Sequence, residues 1–398
     1  MFERVFKLSE HKTTVKTEVM AGITTFMTMA YILAVNPSVL GSTGMDTTAV
    51  LLATALASCL GTLCMAFMAN LPFALSAGMG LNAFMAYPVV AGYGYSWQVA
   101  LLAVFIEGLI FIVLSLTNIR EAIFNAIPLT LKKGVSVGIG LFIAFIGLQN
   151  SGLCVDSATL VGIISFPENF HTAGICALLT LIGLFFTAVF YTRKMKGAIL
   201  YGILLTWILG MLCQVTGLYV PTPDAGFYSL FPSWGMTDFS KLGLTFGQCF
   251  NVDFSAVGIV NFIVVIFSFL FVDIFDTLGT LIGVATKAKM LDKDGKLPGI
   301  KPALLADSIA TSAGAILGTS TTTTFVESAS GVAVGGRTGL TALVTGILFL
   351  VSTLFAPIFT AIPSFATAPA LIMVGSLMVG TVTEINFDLD NLTESIPA

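Results

Sequence analysis

The chain has 398 residues, of which 10% are charged and 56% are hydrophobic. Soluble domains carry about 25% charged residues, so a soluble fold of this size could not cover its surface with so few. The mean hydropathy of +0.98 indicates a polytopic membrane protein and excludes a soluble enzyme, a nucleic-acid binder and a disordered scaffold. The two histidines, His11 and His171, lie outside the apolar stretches, and the six cysteines lack metal-site spacing. This pattern argues against a histidine-based metal site or catalytic triad.

Twelve apolar stretches are candidates for membrane-spanning helices, each of which needs about 20 apolar residues. In chain order, we predict spans at residues 18–38, 47–69, 71–90, 97–117, 132–150, 172–191, 197–216, 256–286, 303–318, 319–335, 338–357 and 361–381. Basic residues cluster in alternate connections, which predicts a cytoplasmic N-terminus and leaves Lys241 as the one basic residue outside. The connection at 217–255 is then external, and its composition fits an ordered loop and a slack connector equally well.

Two of the twelve spans are poor helices. The third span contains a proline, two glycines and Asn82 within residues 71–87, and the tenth contains a threonine run, several glycines and Glu327. Irregular backbone at membrane depth survives only where protein or a water-filled cavity shelters it. A matched pair of interrupted segments indicates the substrate site of an inverted-repeat transporter. Two glycine-rich packing helices are the alternative, but small residues alone leave Asn82 and Glu327 unexplained.

Acidic residues inside the predicted spans are candidates for function, because charge at membrane depth is costly. Asp273 and Asp276 are three residues apart on span eight, so both lie on one helical face with Thr277 and Thr280. Two close carboxylates at low dielectric do not both ionise cheaply, which suits a proton-coupled carrier. A structural pair held by threonine hydroxyls is the alternative.

The other acids within the spans differ in their surroundings. Glu327 lies on the interrupted span ten, whereas Glu107 is alone on span four, where we favour a structural role. Asp307 lies near the cytoplasmic start of span nine, and we expect it to stabilise the helix N-terminus.

The candidate residues describe a pocket rich in hydrogen-bond acceptors. Carboxylates come from spans eight and ten, an amide comes from Asn82 on span three, and phenylalanines are abundant. Sulfate, phosphate or carboxylate ligands would require arginine or lysine, which the middle of these spans lacks. A planar ligand rich in N–H donors fits better, and nucleobases have such N–H groups, ring acceptors and an aromatic face.

Four stretches of the sequence, taken together, form a recognisable set of motifs. They are Ala21–Tyr31 with Asn36-Pro37, Ser76–Phe84, Asp273–Thr280 and Thr322–Ser328. Together they resemble the AzgA-type purine permeases, a branch of the nucleobase transporters, and the resemblance covers essentially the whole chain in order. It implies an all-α membrane fold of two inverted repeats with seven helices each, in which the substrate lies between a core and a gate domain, beside the broken spans three and ten.

The resemblance also implies a division of the chain. The core domain would hold residues 1–120 (spans one to four) and 256–357 (spans eight to eleven). The gate domain would hold residues 121–255 (spans five to seven, with the external loop) and 358–398 (span twelve).

Site residues follow from the same resemblance. An acid on span eight, an acid on span ten and a polar residue on span three match Asp276 or Asp273, Glu327 and Asn82. The spacing of the span-eight motif favours Asp276 as the substrate-facing acid, with Asp273 as the neighbour that tunes it. The other members of the predicted substrate site are Gly80, Thr280 and Phe325. The residues predicted for proton coupling are Asp273, Asp276, Glu327 and Glu107.

The implied activity is proton symport of hypoxanthine, guanine or adenine across the cytoplasmic membrane. The proton gradient is the energy source, and neither a metal nor an organic cofactor is expected. The expected partners are the purine base, protons and the lipid bilayer, without nucleic acid, and homodimers occur in this fold. The alternatives are a carrier of the same fold for uracil, xanthine or another small solute, an ion channel, and, more distantly, an integral-membrane enzyme.

A seven-plus-seven repeat needs fourteen spans, whereas the sequence supplies twelve. Residues 390–398 have polar capping residues and a proline, as the approach to a helix does, and they resemble the segment 124–128 before span five. We therefore expect that the chain lacks two C-terminal spans.

Overall fold

The computed structural model describes residues 2–117, 129–157, 160–222, 226–232, 235–254, 257–287, 290 and 297–385. Its helices are α1 (Phe2–Phe6), α2 (Val15–Met29), α3 (Ile32–Gly41), α4 (Thr47–Cys64), α5 (Met79–Phe84), α6 (Trp97–Leu116), α7 (Leu129–Asn150), α8 (Ile175–Thr192), α9 (Ala198–Val215), α10 (Ile259–Lys287), α11 (Ile300–Leu317), α12 (Ser328–Val334), α13 (Gly339–Ser352), α14 (Ala356–Thr360) and α15 (Ser364–Val379). Its strands are β1 (Leu75–Ala77), β2 (Cys154–Ser157), β3 (Leu160–Ile163) and β4 (Thr322–Thr324). The predicted boundary at 120/121 and the segments 124–128 and 390–398 lie outside the described residues.

The described helices agree with a chain that crosses a membrane many times. Within these ranges, nine helices are long and apolar enough to span a bilayer, and Met79–Gly92 and Ser364–Val379 are shorter apolar helices. The difference from the twelve predicted spans lies in spans three, ten and twelve, which are not long continuous helices. Polar side chains at several helix starts accept backbone N–H groups, as at Thr14, Asp46 and Ser96.

The third and tenth spans are interrupted, as the sequence predicts. Span three runs extended through β1 before α5 begins, and span ten runs through β4 before α12 begins. The two strands pair antiparallel, with Ser76 opposite Thr323 at the centre. Gly318, with φ at +103°, ends α11 in the left-handed region that favours glycine and so leads the chain into this crossing.

The helices pack in two groups. In the first group, α11 packs on α4 and α6, and α13 packs on α2 and α4. In the second group, α15 packs on α7 and α8, and α9 packs on α8. Small residues set the distance between α7 and α15, because a Cβ on Gly140 would lie 2.6 Å from the Gly375 carbonyl oxygen.

The long connection after α9 is ordered where the structure describes it. The Lys241 ammonium lies 3.1 Å from the Asp46 carboxylate at the start of α4. The Gly247 N–H donates to the Ile316 carbonyl at 2.7 Å, which ties the same segment to the end of α11. The described part of this connection is therefore a folded loop held against the first packing group, rather than a slack connector.

A buried acid that the sequence did not single out joins α2 to α13. Glu18 is fully buried, and its carboxylate accepts the backbone N–H groups of Arg337, Thr338 and Thr341. The Thr341 hydroxyl donates to the same carboxylate at 2.6 Å. These donors are free at the start of a helix, so a carboxylate there satisfies them and complements the helix dipole.

The close contact between α7 and α15 generates a prediction with a control on the same helix. Gly140→Ala should lower the free energy of unfolding by about 1–3 kcal/mol, because the new methyl group meets the backbone of α15. At Gly138 an added Cβ meets nothing within 4 Å, so Gly138→Ala should be neutral or slightly stabilising. The measurement is the thermal unfolding midpoint of each purified protein in detergent. Equal midpoints for the two variants would contradict the packing described here.

Candidate functional site

The crossing of β1 and β4 is buried, and its backbone groups find partners within the protein. The six strand residues are at most 2% exposed. Beyond the paired strands, the Gly78 N–H donates to the Thr321 carbonyl at 2.9 Å, and the Phe325 N–H donates to the Ala74 carbonyl at 3.0 Å. Thr62 on α4 accepts the Leu75 N–H at 3.0 Å through its hydroxyl. These bonds satisfy backbone groups that a helix would otherwise pair, so non-helical backbone can exist at membrane depth here.

Glu327 immediately precedes α12 and reaches toward span one. Its Oε1 accepts a hydrogen bond from the Tyr31 hydroxyl at 2.7 Å. The Thr28 hydroxyl lies 3.5 Å from the Glu327 carbonyl oxygen, so two residues near the end of α2 contact this acid. Glu327 itself is partly buried.

Asp276 lies on α10 beside the end of β1. A Cβ on Gly78 would lie 3.4 Å from Asp276 Oδ2 and 2.6 Å from the Thr323 methyl group. Because Gly78 has no side chain, both of these side chains can approach its backbone. The Thr323 side chain is a hydrogen-bond partner of Asp276, and the charges of Glu327 and Asp307 are close enough to act on the same carboxyl group. The structure thus brings the predicted acids of spans eight and ten to the same crossing.

The second acid of α10 belongs to a hydroxyl-centred cluster. The Thr277 hydroxyl lies 2.9 Å from Asp273 Oδ1, 3.1 Å from Asp307 Oδ1 and 2.8 Å from Thr323 Oγ1. All four residues are at most 1% exposed. One hydroxyl carries one proton, so Thr277 donates fully to one carboxylate at a time, while its oxygen can accept a hydrogen bond from Thr323.

This cluster corrects the prediction for Asp307. We expected that Asp307 would stabilise the N-terminus of its helix, but α11 begins at Ile300, two turns earlier, and its N-cap is Gly299. The prediction was wrong because the sequence does not show that the carboxylate faces Thr277 on a neighbouring helix.

Asn82 connects the two broken spans in this structure. It is 1% exposed, and its Oδ1 accepts a hydrogen bond from the Ser320 hydroxyl, while its amide nitrogen lies 3.5 Å from the Ala77 carbonyl oxygen. Gly80 is the point where span three meets the second packing group, because a Cβ there would lie 2.6 Å from the Ile139 side chain.

The remaining predicted residues are buried on elements that lead to or contact the crossing. Phe325 follows β4 directly and is 6% exposed, and Thr280 lies one turn beyond Asp276 on α10 with the same exposed fraction. Glu107 on α6 is fully buried, and its Oε2 accepts a hydrogen bond from the Thr321 hydroxyl at 2.9 Å. Glu107 therefore contacts the extended part of span ten from the side of α6.

The arrangement is a polar centre of carboxyl, hydroxyl and amide groups inside an apolar helical bundle. Such a centre offers acceptors to N–H donors and has carboxyl groups that can exchange protons. The sequence did not identify Tyr31 as a member of this centre. The signal available was a tyrosine within an apolar span, since a buried tyrosine hydroxyl usually has a hydrogen-bond partner.

The fold and the polar centre define a class of membrane protein. The chain is similar in structure to the transmembrane domain of the cyanobacterium bicarbonate transporter BicA, with a TM-score of 0.67 and 15% sequence identity over 96% of this chain and 92% of that chain. This likeness confirms the predicted inverted-repeat transporter fold of seven plus seven helices.

The family follows from the sequence comparisons. Residues 16–394 match the Permease family (Xan_ur_permease), and the chain belongs to that family. It is 46% identical over 393 residues to the guanine/hypoxanthine permease PbuG of Bacillus subtilis, which covers 96% of this chain and 84% of that protein. It is 42% identical over 398 residues to the adenine permease AdeQ of Escherichia coli, which covers 99% of this chain and 84% of that protein. These matches confirm the predicted resemblance and a multi-pass transporter rather than an enzyme.

The hydroxyl-centred cluster generates a stability prediction. Thr277→Val keeps the shape of the side chain but removes the hydroxyl between Asp273 and Asp307, so the protein should lose about 1–3 kcal/mol of stability. Thr277→Ser keeps the hydroxyl and is the matched control, with an expected loss below that of the valine variant. Thermal unfolding of the purified proteins compares them, and a valine variant as stable as the serine variant would show that the cluster does not depend on this hydroxyl.

Proposed function

We propose that this chain takes up purine nucleobases (hypoxanthine, guanine or adenine) across the cytoplasmic membrane by proton symport. The observation that carries the proposal is the convergence of Asp276 and Glu327 at the crossing of β1 and β4, with Asn82 on the adjoining α5. The names of the relatives, guanine/hypoxanthine permease and adenine permease, support the substrate class.

The chemistry of the centre favours a base over an anion. Purines present N–H groups in the ring plane, and carboxylates accept such groups through charge-assisted hydrogen bonds. Asp276 and Glu327 supply acceptors, and the Asn82 amide can both donate and accept. Gly80 lets Ile139 of the second packing group approach the site closely, and Phe325 and Thr280 complete its lining. An anionic substrate at the same place would meet two carboxyl groups instead of a cation.

Proton coupling is assigned to the carboxyl groups of this centre. Asp276 and Glu327 contact the substrate in this proposal, and Asp273 exchanges a proton with Asp307 through Thr277, whose hydroxyl contacts both. Buried acids in close contact titrate as a group, so a proton bound by one alters the charge that the others offer to a base. Glu107 is the next candidate, because Thr321 joins it to the same span.

The two packing groups correspond to the core and gate domains in this proposal. The broken spans and α10, which carries Asp273 and Asp276, pack on helices of the first group, and the second group meets span three at the contact between Gly80 and Ile139. Transport then requires movement of one group against the other around the site. The N-terminus lies on the cytoplasmic side, in agreement with the distribution of basic residues.

The substrate class is tested by uptake of labelled hypoxanthine into proteoliposomes with an inward proton gradient. Unlabelled guanine, adenine, xanthine and uracil compete in parallel. The proposal predicts saturable uptake and counterflow, with stronger competition by guanine and adenine than by xanthine or uracil. Competition by uracil or xanthine alone would favour the alternative carrier, and flux without saturation or counterflow would indicate a channel.

Glu327→Gln tests the acid on span ten. The amide keeps the shape of the side chain but removes charge-assisted acceptance, roughly 1.5–3 kcal/mol per hydrogen bond, so the apparent affinity for the base should fall at least tenfold. Glu10→Gln, an exposed acid in the N-terminal segment, is the control and should leave the kinetics unchanged. Wild-type kinetics in Glu327→Gln would remove Glu327 from the substrate site.

Asp276→Asn and Asp273→Asn test the proton coupling. Asp276→Asn should abolish accumulation against a concentration gradient, and Asp273→Asn should shift the pH dependence of uptake, because the two acids titrate together. The measurement is the ratio of internal to external base as a function of external pH. If both variants accumulate base with the wild-type pH profile, the proton follows another route, and Glu107 becomes the residue to test.

A further inference from the structure

Span one contains a two-residue junction between two helical segments, and the junction carries a buried tyrosine. Helix α2 ends at Met29 and α3 begins at Ile32, so Ala30 and Tyr31 form the junction between them. Tyr31 is 1% exposed, although it has a polar end that needs a partner. The partner is the Glu327 carboxylate, which accepts the Tyr31 hydroxyl at 2.7 Å.

The Tyr31 hydroxyl contacts one of the two acids proposed to bind substrate and lies in the neighbourhood of the other. It donates to Glu327, and it is close enough to Asp276 for the charge of that acid to act on it. The contact joins residues 296 positions apart, so it depends on the folded arrangement of spans one and ten. A phenol proton directed at a carboxylate forms a charge-assisted hydrogen bond, which is stronger than a bond between neutral groups.

We propose that Tyr31 is a positioning residue for substrate recognition, because its hydroxyl holds Glu327 Oε1 and leaves Oε2 to accept an N–H group of the base. A carboxylate has two acceptor oxygens, whereas a phenol has one proton, so Tyr31 occupies one oxygen and fixes the direction of the other. A side chain fixed before the ligand arrives loses less conformational freedom on binding. This inference rests on the proposed function, since it gives Glu327 a purine as its ligand.

A purely structural role for Tyr31 leads to a different result. If the hydrogen bond only joined span one to span ten, its loss would lower stability without a specific loss of affinity. If Tyr31 acts through Glu327, its loss should weaken binding of the base and should matter less once the Glu327 carboxylate has been replaced. The two roles therefore differ in the measured affinity and in the coupling between positions 31 and 327.

The experiment compares equilibrium binding of labelled hypoxanthine, guanine and adenine to the purified full chain with transport in proteoliposomes. Tyr31→Phe should raise the dissociation constant about tenfold and raise KM similarly, with kcat within about twofold of wild type. Tyr219→Phe is the matched control, because Tyr219 is 2% exposed and donates its hydroxyl to the Tyr228 carbonyl at 2.8 Å. In a Glu327→Gln background, Tyr31→Phe should change KM less than about threefold.

A second variant supplies a donor at the same ring position. Tyr31→4-aminophenylalanine keeps an N–H donor in place of the hydroxyl and should restore binding to within about threefold of wild type. It also serves as the decisive variant if Tyr31→Phe does not fold. A folded amino variant that binds as weakly as Tyr31→Phe overturns the inference.

Two further results separate this inference from the proposed function. If the wild-type chain binds a purine and Tyr31→Phe binds it with the same affinity, the positioning role alone is overturned. The same conclusion follows if Tyr31→Phe and Tyr219→Phe lose affinity equally. A wild-type chain that binds none of the three purines contradicts the proposed function, and the positioning role falls with it.

Discussion

The structure depends on the antiparallel pairing of two short strands in the middle of a helical membrane protein. β1 and β4 each interrupt a span, and each supplies the hydrogen-bond partners that the other lacks at membrane depth. Threonine and serine hydroxyls from α4 and α12 satisfy adjacent backbone groups, as Thr62 and Ser328 do. Because each strand needs the other, the interruption in one half of the chain requires the interruption in the other half. The pairing therefore fixes the two broken spans against each other at the crossing of β1 and β4.

The polar centre follows from that pairing. Both acids of α10 face the crossing through threonine hydroxyls, and Glu327 lies three residues after β4. Helices that surround the crossing contribute further groups, namely Asp307 from α11, Glu107 from α6 and Tyr31 from the junction of span one. Placing several carboxyl groups inside a membrane protein costs free energy, so such groups are candidates for function. Binding of a base rich in N–H donors, together with protons, matches the chemistry of these groups.

The sequence was sufficient to predict that spans three and ten are broken, because proline, glycine and runs of threonine disfavour a helix. It also predicted Asp273, Asp276 and Glu327 as functional residues, since acids are rare in apolar spans. It could not show that β1 pairs with β4, because pairing between residues 247 positions apart leaves no periodic signal for Ser76 and Thr323. For the same reason the role of Asp307 was misread, and Tyr31 was missed, since each contact is made by a residue from a distant span.

The central claim is that the crossing of the two broken spans is the binding site for a purine base. A structure of the purified chain with bound hypoxanthine tests it most directly. The account predicts density for the base beside β1 and β4, with ring N–H groups within hydrogen-bonding distance of the Glu327 and Asp276 carboxylates. Density for hypoxanthine elsewhere, with the contacts of Glu327 and Asp276 unchanged from those described here, would contradict the account.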